Sequence, residues 1–152
     1  MQPDRIPAAP LILGLAGTIP FLWGAATVLL DPLAAFGQEL LGPRLIGPYV
    51  QLFYGAVILS FMGGALWGFA TNAAGRAAAA AYAFAVVPAL WAFLFTGGGP
   101  ASASIWLILG FLGILGLDWA FQNAGLAPPW WLRLRLILTA VVVPCLAVTA
   151  FL

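Results

Sequence analysis

Histidine and lysine are absent from this sequence, and cysteine occurs once, as Cys145. Without imidazole there is no bis-histidine haem, no histidine-bearing metal site and no Ser–His or Cys–His nucleophile. Without lysine there is neither a Schiff-base carrier nor a Ser–Lys dyad. A single cysteine forms no internal disulfide and leaves the redox compartment open. No catalytic residue, metal or cofactor is therefore expected, and the chain reads as a non-enzyme.

Charge is scarce too. Only 6% of the 152 residues are charged, for a net charge of +1, while 64% are hydrophobic. A soluble domain carries about 25% charged residues because water must solvate its surface. With a mean hydropathy of +1.12, lipid has to be the solvent for most of this surface. The expected fold is an all-α integral membrane protein, and no nucleic-acid partner is expected.

Crossing a bilayer takes about 20 mostly apolar residues. Stretches near residues 11–30, 49–70, 77–95, 104–121 and 134–152 meet that requirement. They predict a five-helix bundle forming one transmembrane domain over residues 1–152. The first stretch is expected to be retained and not cleaved as a leader, because it is long and Asp4 sits beside Arg5. Between the first two spans, "DPLAAFGQELLGPRLIGP" predicts a short interfacial helix. Asp31 would be its N-cap and Pro32 its first residue. Leu33, Phe36, Leu40 and Leu41 share one face, and Gly42-Pro43 ends the pattern.

Arginines orient the bundle. Arg5, Arg76, Arg133 and Arg135 fall in loops on the N-terminal side, and only Arg44 falls on the other. Short loops rich in arginine stay in the cytoplasm, so the N-terminus is expected inside and the C-terminus outside. Trp91, Trp106 and Tyr49 near one edge, and Trp119, Trp130 and Trp131 near the other, read as interface anchors.

Two features within the spans bear on function. In "YGAVILSFMGGALWG", residues Ser60, Gly63, Gly64, Trp67 and Gly68 share one side of a helical wheel. Small residues at such spacing let helices approach closely, so this side is a packing seam or the floor of a pocket. The expectation is that the third and fifth spans fill it. Gly110, Gly113 and Gly116 form a second ladder, and Gly14 with Gly17 a third. The other feature is Asp118, the only acidic residue within a span. Intramembrane charges find partners, and Arg76, Arg133 and Arg135 begin spans at the same face. Arg133 and Arg135 lie two positions apart and point to different sides. Arg135 is taken as the buried ion-pair candidate beside Arg76, and Arg133 as the one meeting lipid headgroups. Pro20, Pro88 and Pro144 interrupt three spans.

"LGLAGTIPF", "YGAVILSFMGGALWG" and "PWWLRLRLILT", with an Asp before the last, resemble the DUF3429 family. This is a group of small multi-span bacterial proteins similar to the mitochondrial transmembrane protein 69. The Gly-Gly-x-x-Trp-Gly core carries most of the likeness. One position departs, since many relatives have a basic residue where this chain has Leu66. The resemblance implies a multi-pass protein of the bacterial inner, cytoplasmic membrane. Two roles are weighed. One is a non-enzymatic accessory, assembly or stabilising subunit of a larger membrane complex, an energy-transducing one among the candidates, with other membrane subunits, copies of itself and membrane lipids as partners. The other is a binder or carrier of an apolar small molecule such as a lipid or quinone, with Trp67, Ser60 and Asp118 lining its pocket.

Overall fold

The computed structural model describes residues 5–152, so Asp4 lies outside the described residues. All regular elements among them are helical. Five helical stretches are long and apolar enough to cross a membrane: Ala8–Leu29, Gly47–Ala70, Gly75–Phe95, Pro100–Asn123 and Trp131–Phe151.

The first stretch is broken. It consists of α1 (Ala8–Ala16) and α2 (Ile19–Leu29), separated at Gly17-Thr18. Pro20 has no N–H to give to the preceding turn, which stops the ladder from running through. Thr18 restarts it, its carbonyl accepting from the amides of Phe21 and Leu22 at 3.0 and 3.1 Å. The nine residues of α1 extend about 14 Å at 1.5 Å per residue, under half the hydrocarbon thickness.

Helix α3 (Asp31–Leu41) follows at once. Leu30, in extended conformation, is its N-cap, so Asp31 sits one position further in than predicted. There the carboxylate acts on the positive end of the helix instead of capping an amide. Phe36, Leu40 and Leu41 remain exposed, as an interfacial helix requires. A single 3-10 turn at Pro43–Leu45 leads into α4 (Gly47–Ala70). Thr27 Oγ1 accepts from the Gly47 amide at 2.8 Å, and Trp23 Nε1 donates to the Leu45 carbonyl at 2.7 Å. These two bonds fix where α4 begins.

Helices α5 (Gly75–Phe95), α6 (Pro100–Asn123) and α7 (Trp131–Phe151) complete the bundle. Pro88 and Pro144 lie inside α5 and α7 without ending them, whereas Pro20 does mark a break. Helix α4 is central, packing on α2, α5 and α6, while α7 closes against α6 and α2. Phe21, Leu59, Leu66, Leu107, Phe111, Ile114 and Leu146 fill the centre. Phe21 meets Tyr54 and Phe111 edge-on, with centroids 5.4 and 5.9 Å apart. Helix α1 buries no residue and rests lightly, mainly on α7.

Candidate functional site

The polar centre of the bundle is Asp118. Its side chain is fully buried, and both carboxylate oxygens are occupied. Oδ2 accepts from Arg135 Nε at 3.0 Å, and Oδ1 accepts from Trp131 Nε1 at 2.6 Å. Arg135 is 3% exposed, and this is the only ion pair among the described residues. Arg76 and Arg133 are exposed and take no part. Trp131, expected at the interface, is instead a partner of this carboxylate and meets Phe69 edge-on at 4.9 Å. Its distance from Asp118 in sequence hid this role. Gln122 Oε1 accepts from the Leu132 amide at 2.9 Å, which satisfies one of the free donors that start α7.

A second buried polar node was not foreseen. Gln51, with no exposed surface, donates through Nε2 to the carbonyls of Phe21 and Cys145, both at 2.9 Å. Its Oε1 accepts from Thr149 Oγ1 at 2.5 Å. One side chain thus ties α2, α4 and α7 together. The signal was present as a lone amide in the apolar run "YVQLFY", since a polar group inside a span needs a partner in the protein.

The small-residue side of α4 does not act as a unit. Gly63 is a close-packing position: a Cβ there would lie 2.7 Å from the Ala85 carbonyl oxygen on α5. Gly64 and Gly68 face open space, with no atom within 4 Å of such a Cβ. The expected filling of that side by α5 and α7 is therefore corrected: α5 covers Gly63 and touches Trp67, and Gly64 and Gly68 stay open. Ser60 bonds back to its own helix at the Ala56 carbonyl, 2.8 Å away. Trp67 is about half exposed and leans on Tyr82, centroids 4.7 Å apart. The α6 ladder divides likewise, with Gly110 packed under Leu59 and Trp91 while Gly113 and Gly116 stand open. Trp91 is no simple interface anchor, since its indole donates to the Trp106 carbonyl at 2.8 Å.

A cavity of about 810 Å³ lies between α1, α4 and α7. Its wall is mostly apolar, formed by residues such as Leu13, Phe21, Ile58, Phe111, Trp131 and Val142. Leu13 and Phe61 line it and are also 72% and 65% exposed. The mouth therefore faces the apolar outer surface. Gly68 contributes to the wall; Ser60, Trp67 and Asp118 do not, which corrects the pocket expected from the sequence. Instead Arg135 and Thr139, one helical turn apart on α7, bring polar character, together with the Thr18 and Tyr54 hydroxyls. Arg135 Nη2 and Thr139 Oγ1 are two of three buried polar side-chain atoms without a partner among the described residues; Ser104 Oγ, away from the cavity, is the third.

These features define a polytopic helical membrane protein with a buried ion pair beside a laterally open apolar cavity. Comparison with known proteins places it further. The family model for DUF3429, described as a protein of unknown function, matches residues 6–151, and the chain belongs to that family. It is 36% identical over 141 residues to Transmembrane protein 69 of Xenopus tropicalis, covering 90% of this chain and 51% of the relative. The chain thus spans about half the length of the curated relative it matches. No solved structure matches it.

Proposed function

We propose that this protein is a non-catalytic intramembrane binding protein for an apolar small molecule, in the bacterial inner membrane. The observation that carries this reading is the cavity of about 810 Å³, apolar along most of its wall and bearing Arg135 and Thr139. Small-molecule sites are concave and mostly apolar, about 300–1,000 Å³ in volume, with a few placed polar groups. A mouth lined by Leu13 and Phe61 would admit a ligand from the lipid phase.

Gly68→Leu tests this reading, because the new side chain enters open space at the cavity wall. The wild-type protein, purified in mild detergent, should carry a bound apolar molecule in native mass spectrometry. G68L should lose it while keeping its melting temperature. An empty wild-type protein that also binds no added apolar probe would sink the reading.

A second reading, an accessory subunit of a larger membrane complex, draws on Gly64, which presents bare backbone to open space beside Trp67. In lipid such a surface favours close approach of another helix. Gly64→Leu should then release partners in affinity purification without lowering the melting temperature. Unchanged co-purification, including of a second copy of the chain, would count against it.

A further inference from the structure

We infer that the ligand of this cavity is a neutral molecule with a long apolar body and a carbonyl-type oxygen at its polar end. The inference rests on the cavity being a binding site, as proposed above, and concerns the chemistry of the head that enters it. Two observations carry it, the direction of the free hydrogen bonds and the balance of charge.

Donors are in surplus at this site. Both oxygens of Asp118 are taken, by Trp131 and by Arg135. Arg135 nonetheless keeps Nη2 without an acceptor, and a guanidinium nitrogen can only donate. Thr139 adds a hydroxyl. Elsewhere in the chain Thr18, Thr27, Ser60, Thr71 and Thr96 each donate to a backbone carbonyl three or four residues back. Thr139, only 4% exposed, makes no such bond. Its hydroxyl turns freely about one bond, and threonine in a helix divides between two rotamers. A buried donor without a partner is costly, and both atoms lie just beneath the cavity wall that their residues form. Rotation of the Thr139 side chain, and a small shift of the Arg135 guanidinium, would turn these donors toward a ligand oxygen in the cavity.

Charge settles what kind of oxygen. Arg135 is already neutralised by Asp118 at 3.0 Å. A carboxylate or phosphate arriving beside this pair would leave an uncompensated negative charge among apolar walls, where desolvation is expensive. A ketone, quinone or ester oxygen accepts the same bonds and carries no charge. Both a diacyl lipid with an uncharged head and a free long-chain carbonyl compound fit that description.

The matched probes are methyl dodecanoate, dodecanoate and dodecane, presented to the detergent-solubilised full chain and followed by native mass spectrometry. The methyl ester should bind about tenfold more tightly than either of the others, the equivalent of one or two net hydrogen bonds. Thr139→Val should weaken the ester about fivefold, within the effect of one such bond, and leave dodecane unchanged. Dodecanoate binding as well as the ester, or dodecane doing so, would overturn the assigned head chemistry and leave the cavity reading standing. Equal weakening of ester and dodecane by T139V would also overturn it, by making Thr139 a structural residue. Binding of none of the three would instead defeat the underlying cavity reading. The mass of any molecule that co-purifies separates the two sources: an uncharged diacyl lipid or a single-chain carbonyl compound supports the inference, and a fatty-acid anion or an anionic phospholipid overturns it.

Discussion

Asp118 Oδ2 and Arg135 Nε lie 3.0 Å apart, on α6 and α7, with side chains 0% and 3% exposed. Removing one partner leaves the other charged, buried and alone, which costs about 3–5 kcal/mol. Asp118→Asn and Arg135→Gln should each lower stability by that order in detergent unfolding. The double substitution D118N/R135Q should recover a substantial part of the loss. Additive losses would show that the pair does not act as a unit.

Gly63 and Gly64 are neighbours in sequence with opposite surroundings. Gly63→Ala pushes a methyl toward the Ala85 carbonyl, which would lie 2.7 Å away. It should destabilise by about 1–3 kcal/mol, the usual effect of overpacking. Gly64→Ala meets nothing within 4 Å and should stabilise by up to about 1 kcal/mol through helix propensity. Melting temperatures of the two variants check the sign difference directly.

Gln51→Leu removes two donated bonds and one accepted bond. It strands the Thr149 hydroxyl, so a loss of about 1–3 kcal/mol is expected. Thr149→Val should cost less, because Gln51 keeps both bonds to the backbone. A double-mutant cycle should give clear coupling between the two, whereas zero coupling would remove the network as a unit.

Membrane orientation follows from the arginines. Asn72 Nδ2 donates to the Leu126 carbonyl at 3.1 Å, so the α4–α5 and α6–α7 turns lie at the same end. That end carries Arg76 and Arg133, opposite Arg44, and should be cytoplasmic. A phosphatase active only outside the cytoplasm, fused after Leu152, should therefore be active. Activity confined to the cytoplasmic side would reverse the orientation.

Much of this architecture is legible in the residues. Apolar runs of span length mark the five helices, and Gly42-Pro43 marks the end of α3. Arg133 and Arg135, two positions apart, separate onto exposed and buried surroundings as helix geometry demands. The occupancy of the glycine side was not legible. A wheel groups Gly63 with Gly64, but which of them meets a neighbour depends on where α5 crosses, a tertiary fact. The cavity was hidden for the same reason, because its wall combines residues of α1, α4 and α7 that are far apart in sequence. Thr139 gave no signal, as a threonine in an apolar helix normally bonds its own backbone.

Gln51 also sets an order of events during synthesis. Its contact with Cys145 joins residues 94 positions apart, so α4 emerges from the ribosome long before α7 exists to receive its amide. At about 5–20 residues per second, that wait lasts about 5–20 s. During that interval the nascent chain holds an amide whose last partner has yet to be made. Arrival of α7 satisfies it, which makes this late bond the latch that separates an inserted α4 from a closed five-helix bundle.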